Sequence, residues 1–318
     1  MRGDDPWSTP DPLGEALHVL RMSGTFYCRS ELTAPWGLDL PPEPESMWFH
    51  VVNAGRCWLE VDGDEPRLLE RGDFALVPHG QGHLLRSEPG APAPRVDGLE
   101  YDYASDRYAI LRHGGGGAPT SLVCGTVRFG HPAARNLVTL LPRTIVIEGA
   151  PGSSSPEADW MHSTLRLIAA EGRELRPGGE ALITRLSDIL VIQAIRSWIA
   201  SDPVGQTGWL GALRDPRIGR AMSLVHRDPA QPWSVASLAR ETAMSRSAFA
   251  ARFTELVGEP AMQYVTRWRM QVALDCLRHD DVPVAALAAR LGYESEAAFS
   301  RAFKRTVGVS PGAARRAA

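Results

Sequence analysis

VASLARETAMSRSAFAARFTELVG (235–258) and VAALAARLGYESEAAFSRAFKRTVG (284–308) are two copies of one pattern, 50 residues apart when counted from Phe249 to Phe299. Each reads as a helix, a tight turn, and a second helix whose start is capped by a serine (Ser245 or Ser295). In the second helix Phe249 and Phe253, and likewise Phe299 and Phe303, fall at i and i+4. That spacing puts each pair on one face, which predicts that both pairs point into a core. The pattern is a helix-turn-helix used twice.

Between the copies lies a helical stretch rich in Arg, Trp and Leu, about 260–279. At 1.5 Å per residue it spans roughly 30 Å, close to the ~34 Å of one DNA turn. The second helices of the two units can then enter successive major grooves on one face of a duplex. Charge agrees with that reading. Residues 209–318 hold 16 Lys and Arg against 10 Asp and Glu, which leaves 18 against 27 of the chain's 34 and 37 for the rest. A basic back on an acidic front points to a polyanion partner for the back alone.

Residues 216–313 resemble the DNA-binding domain of the AraC/XylS family of bacterial transcription regulators. The resemblance lies in SLARETAMSRSAFAARFTELVG, YVTRWRMQVAL and VAALAARLGYESEAAFSRAFKRTVGVSP, taken in that order and spacing. With the Phe pairs facing inward, the outward arc of the first recognition helix carries Ser247, Ala251 and Thr254. The matching arc of the second carries Ala297, Arg301 and Lys304. Family members often have a large polar residue where this chain has Ala251, so the first helix is expected to read bases through small contacts, through Arg246 at its start, or weakly. Arg301 is the candidate for a bidentate contact to guanine. Arg267, Arg269, Lys304 and Arg305 are candidates for phosphate contacts or solvated surface charges, and Arg252 completes the DNA-facing set.

The front of the chain is different. From 16 to about 147 short strands alternate with Gly/Pro turns, which predicts a β-sandwich or barrel. WFHVVNAGRCWLEVDG (48–63) alternates on both sides of a turn at Asn53-Ala54-Gly55. The run Gly114–Gly117 lacks the ending of a phosphate loop and reads as a flexible connection. GDFALVPHGQGHLL (72–85) fits the spacing G-x5-P-x-G-x2-H at Gly72, Pro78, Gly80 and His83. This resembles the second motif of the cupins, which are small jelly-roll barrels. His83 should point inward; His79, in the turn, should face outward.

The first cupin motif usually supplies two histidines and a glutamate, whereas SMWFHVVNAG supplies only His50. Two histidines make a poor metal site, because three or four ligands are usual. A divalent metal held by His50 and His83 with help from Cys28, Cys57 or a carboxylate is one expectation; an organic ligand, or none, is the other. A cupin enzyme, a dioxygenase or isomerase, is the competing class and would need a complete ligand set. Across 14–200 the chain also resembles the cupin sensor domain of one branch of AraC-type regulators, in His50, Cys28 and the VCG strand that holds Cys124. Cys28 and Cys124 are therefore redox candidates, with Arg29 placed to favour a Cys28 thiolate. The alternative is two small buried hydrophobes.

Two helical patterns fill 150–207 between linkers APGSSSP and SDPVGQTG, and GGEALITRLSDILVIQAIRSWIA is strongly apolar at helical spacing. They either mediate a homodimer or pack on their own sandwich. The full expectation is an α+β multidomain chain of 318 residues: a cupin-like jelly-roll barrel (14–149), a helical linker (150–207) and an all-α double helix-turn-helix domain (210–318). The resemblance implies a cytoplasmic, DNA-binding regulator, more often an activator. It would respond to a small molecule, metal or oxidant and work with RNA polymerase. No apolar run approaches the ~18 residues of a membrane span, and MRGDDPWSTPDPLGEAL (1–17) has no apolar core of a secretion signal.

Overall fold

The computed structural model describes residues 22–129, 138–149, 156–173, 176–202 and 208–316. The reading of the N-terminal segment, most of both linkers, and the outer edges of the first and third segments fall outside these residues. The chain divides into two compact units. Among described residues, one comprises 22–129 and 138–198 and the other runs from 199 onward.

The first unit holds β1 (Met22–Thr33), β2 (Gly37–Leu40), β3 (Ser46–Ala54), β4 (Arg56–Val61), β5 (Arg67–Glu70), β6 (Phe74–Val77), β7 (His83–Arg86), β8 (Tyr101–Ser105), β9 (Tyr108–Gly114), β10 (Pro119–Phe129) and β11 (Ile145–Ile147). They form two sheets. One has seven strands in the order β11-β6-β3-β10-β1-β9-β8, the other four in the order β2-β7-β4-β5. Neither sheet closes on itself. Both contribute to one core, in which Cys28, Leu32, Trp48, Val52, Ala75 and Leu122 of the larger sheet meet Leu38, Leu40, Cys57, Leu59, Val61 and Leu85 of the smaller. This is the expected jelly-roll arrangement, built as a sandwich around a common interior.

The turn at Asn53-Ala54-Gly55 is present, but it does not make a hairpin. β3 pairs with β10 and β6, while β4 pairs with β5 and β7. The chain changes sheet at Gly55, whose φ of +75° suits glycine and where a Cβ would stand 2.6 Å from the Pro119 carbonyl oxygen. The glycine run 114–117 is not a loose connection. Gly115 and Gly117 donate backbone N–H groups to the carbonyls of Thr33 and Ala34, both at 2.8 Å, and Gly116 donates to the Thr33 hydroxyl at 2.9 Å. The run is glycine-rich because it lies flat against the end of β1.

Two helices belong to this unit for most of their length: α1 (Pro156–Arg173) and α2 (Gly179–Ser201). Ile183, Ser187, Leu190, Val191, Ala194 and Ile195 of α2 are fully buried, and Asp188 and Thr184 flank the Tyr27 hydroxyl on the outer face of the larger sheet. Burial raises the Asp188 carboxyl to about 6. α2 therefore packs on its own sandwich.

The second unit is all helix: α3 (Gly208–Arg214), α4 (Pro216–Arg227), α5 (Val235–Glu241), α6 (Arg246–Val257), α7 (Ala261–His279), α8 (Val284–Arg290), α9 (Glu296–Val307) and α10 (Pro311–Arg316). α5-α6 and α8-α9 are the two predicted helix-turn-helix units, and α7 joins them.

Candidate DNA interface and sensor site

The recognition helices α6 and α9 are built by the same local chemistry. Ser245 and Ser295 cap them, each hydroxyl accepting the third backbone N–H (Ala248 or Ala298) at 3.2 Å. Both end in a left-handed glycine, Gly258 at φ +83° and Gly308 at φ +90°. Phe249 and Phe253 have ring centroids 5.6 Å apart, Phe299 and Phe303 5.7 Å, and all four are buried. The predicted inward faces are thus in place, and the outward arcs carry the predicted residues: Ser247, Ala251, Thr254, Ala297, Arg301 and Lys304 are all exposed.

The predicted cations separate into two groups. Arg246, Arg301, Lys304 and Arg305 are exposed, and among the described residues Arg246, Arg301 and Lys304 make no side-chain hydrogen bond or ion pair. Arg252, Arg267 and Arg269 are engaged within the unit. Arg252 donates to Asp215, the N-cap of α4, at 3.1 Å and to Glu255 at 3.3 Å. Arg267 donates to Glu259 at 2.5 Å and lies over the Tyr264 ring. Arg269 donates to the carbonyls of Pro229 and Gln231 at 2.6 and 2.8 Å and lies over the Tyr293 ring. These three brace one part of the unit against another, and nothing in the sequence flagged Asp215, Glu259 or the 229–231 carbonyls as their partners.

In the first unit His50 and His83 meet across the core, one from each sheet, with their Nε2 atoms 2.7 Å apart. The cupin-like turn makes this possible. Gly80 has φ +61°, and a Cβ there would stand 2.1 Å from the Glu43 carbonyl oxygen, so only glycine lets the turn press against 43–46 before His83 heads inward. His79 does not face outward as expected: it is half-buried and its Nε2 bonds the Leu141 carbonyl at 3.0 Å. Burial holds His83 down at about 4, and burial followed by the neighbouring His83 holds His50 well below the usual imidazole range. Both rings are therefore neutral near pH 7, one donating an N–H and the other accepting. Their Nδ1 atoms and the Trp48 indole nitrogen are buried without a hydrogen-bond partner among the described residues, and Trp48 stacks beside His50 with 6.4 Å between centroids.

His50 also begins a row. Cys124 of β10 lies opposite it, and Cys28 of β1 lies opposite Cys124. Residues directly opposite in antiparallel strands point to one face, so both thiols look into the interior beside the histidines. The expected approach of the two cysteines is present. The expected help from Arg29 is not: side chains alternate along a strand, and Arg29 instead bonds Glu31 at 2.6 Å. Burial pushes Cys28 up to about 11 and Cys124 well above the usual thiol range, so both are protonated.

A resident metal does not fit this arrangement. Two nitrogens bound to one tetrahedral ion at about 2.1 Å stand roughly 3.4 Å apart, and here they touch at 2.7 Å. Among the described residues no group of three or more His, Cys, Asp or Glu is placed to hold an ion. Nor, among those residues, is any helix long and apolar enough to cross a membrane.

Comparison with known proteins brings the two halves together. A cupin family profile matches residues 11–200 and a helix-turn-helix domain profile matches 238–317. An AraC-like transcription regulator of Streptomyces lividans is 35% identical over 304 residues, covering 95% of this chain and 97% of its own. The chain belongs to the AraC family of transcription regulators. A second AraC-like regulator, from Streptomyces antibioticus, is 33% identical over 303 residues with the same coverage. The RCS-specific transcriptional activator RclR of Escherichia coli is 29% identical over 303 residues, covering 95% of this chain and 96% of its own. As an AraC-family member the chain is a DNA-binding regulator of transcription, and its cupin domain is not an enzyme's: the dioxygenase or isomerase alternative is set aside by what these relatives are.

Proposed function

We propose that this chain is a cytoplasmic, effector-gated transcription activator. Its cupin interior receives the signal, and α6 and α9 carry the response to promoter DNA in partnership with RNA polymerase. The observation that carries the sensor half is the interior row Cys28–Cys124–His50, with His83 reaching it from the facing sheet. Of the three effector classes, a small molecule, a metal or an oxidant, the two opposed thiols favour an oxidant. In that step each thiol gives up a proton and an electron as an S–S bond forms, and the oxidant accepts the electron pair. Protonated thiols are poor nucleophiles, so the row selects for reactive oxidants over slow ones. One relative carries an activator's name with an RCS-specific response, which fits this direction. A metal would need the histidine pair to part first.

On the DNA side Arg301 makes a bidentate base contact, Ala297, Ser247 and Ala251 lie at base edges, and Lys304, Arg305 and Arg246 reach phosphates. Arg252, Arg267 and Arg269 hold the frame that presents them. A homodimer is favoured by the exposed Trp160 and Leu167 of α1 and Leu182 and Ile189 of α2, each pair two helical turns apart. The signal must stabilise the DNA-competent and incompetent states unequally, or it shifts nothing.

The test is a mobility shift on DNA upstream of the chain's own coding region, with and without oxidant, alongside elemental analysis of untagged protein. The reading expects salt-sensitive binding that oxidant changes in the wild type and leaves unchanged in Cys28→Ser and Cys124→Ser. An oxidant response that survives both substitutions ends the thiol reading. About one metal per chain, lost in His83→Ala, would move the sensor to the histidine pair.

A further inference from the structure

Aligned at an offset of 50, the backbones of α6 and α9 match from N-cap to terminal glycine, so each outward position of one helix has a counterpart on the other. The counterparts differ in chemistry. Ser247 corresponds to Ala297, Ala251 to Arg301, Thr254 to Lys304 and Glu255 to Arg305. The last three pairs place an apolar methyl, a hydroxyl and an acid on α6 where α9 has three cations. On the surface of α6 the Thr254 hydroxyl donates to the Ala250 carbonyl at 2.9 Å, Glu255 accepts from Arg252 at 3.3 Å, and the Ser247 hydroxyl lies 3.4 Å from that of Ser245. Arg246 stands roughly 140° round the helix from Ala251, at about 100° per residue, on the flank and not over the groove.

We propose that the operator of this chain is chemically lopsided: α9 reads a guanine through Arg301, while α6 reads thymine through the methyl of Ala251 and presents no cation to a guanine from its outward arc. The inference rests on the reading of α6 and α9 as groove-entering helices. The major groove supplies both ligands. Guanine offers N7 and O6 to a guanidinium fork, and thymine offers its C5 methyl to a small apolar side chain. An exposed acid at Glu255, where α9 has Arg305, also leaves α6 with less phosphate attraction than α9, so the guanine half carries most of the electrostatic grip.

The experiment begins by enriching binding sites from random duplex DNA with the full chain. On the enriched duplex each guanine is then replaced by 7-deazaguanine, which removes N7, and each thymine by uracil, which removes only the methyl. In one half-site a single deazaguanine should weaken binding about tenfold or more. That dependence should vanish in Arg301→Ala and shrink in Arg301→Lys, which keeps the charge and loses the planar fork. In the other half-site, roughly 10 base pairs away, deazaguanine should be silent. A uracil there should weaken binding a few-fold in the wild type and not in Ala251→Gly. Ala251→Arg should create a new guanine dependence in that half. Deazaguanine sensitivity in both halves overturns the proposal and leaves the DNA-binding reading intact, as does a guanine dependence that survives Arg301→Ala. Failure to enrich any sequence removes the underlying reading and the proposal with it.

Discussion

The two helix-turn-helix units invite comparison because nearly everything that builds them is shared. α5 and α8 have the same length, and α6 and α9 the same cap, phenylalanine pair and terminal glycine. Besides the starts of α5 (capped by Ser234) and α8 (preceded by Pro283) and one extra residue in the second turn, they part in two places. One is the outward arc, where Ala251, Thr254 and Glu255 face Arg301, Lys304 and Arg305. The other is the turn, where Ala243 takes a left-handed conformation in the first unit and Gly292 does in the second. Positions that fix the frame tolerate little variety, because a buried ring and a capped helix end each have few solutions. Positions that meet a ligand vary freely, because the frame does not depend on them. One scaffold used twice thus presents two different reading surfaces.

The largest test of that equivalence is the core. Phe249→Ala and Phe299→Ala should each destabilise the helical unit by roughly 3–5 kcal/mol, since both rings are fully buried against a neighbouring aromatic ring. Denaturant unfolding of the two variants checks this. Losses that differ by more than about 2 kcal/mol would show that the units share a shape and not an energy scale.

Next comes the arc. Arg301→Ala should reduce affinity for the preferred site by about 1–3 kcal/mol and relax one base position. Ala251→Gly, its counterpart, should change affinity far less. An unchanged selected motif in Arg301→Ala would remove Arg301 as a reader. Lys304→Ala should weaken binding to all sequences alike and lower the salt slope by about 1, while Thr254→Ala should leave the slope alone. Equal slopes for the two variants would mean that the cationic surplus of α9 does not reach the phosphates.

The frame was legible in the sequence because its rules are local. A serine before a helix and phenylalanines four apart carry their meaning within one turn, and that is enough to fix the inward and outward faces of α6 and α9. Long-range pairings were not legible. Arg252 finds Asp215 and Arg269 finds the Pro229 and Gln231 carbonyls at separations of 37, 40 and 38 residues, partners that no local pattern announces for cations expected on the DNA-facing side. In the cupin domain the motif placed His83 inside, and alternation suggested His50 beside it. That the two would touch, with Cys124 and Cys28 in the next rungs, depends on strand order, which periodicity does not encode. His79 and the glycines 114–117 depart from expectation for the same reason: each is fixed by a backbone group far along the chain.

The turn provides the finest contrast. Gly292 has φ +76°, and a Cβ there would stand 2.5 Å from the Ala230 carbonyl oxygen. Ala243 accepts φ +52° with its methyl in place. A left-handed conformation costs an L-residue on the order of 1 kcal/mol, so the first unit carries a strain that the second avoids. Gly292→Ala should therefore lower the melting temperature of the helical unit, through both the strain and the contact. Ala243→Gly should raise stability by up to about 1 kcal/mol, the gain offset in part by the greater freedom of glycine in the unfolded chain. A loss on adding the methyl at 292 and a gain on removing it at 243 would show that the left-handed backbone disfavours a methyl in both turns. A loss in both would mean that the Ala243 methyl makes a contact worth more than its strain, and the two turns would then be alternative solutions and not a strained and a relaxed copy of one.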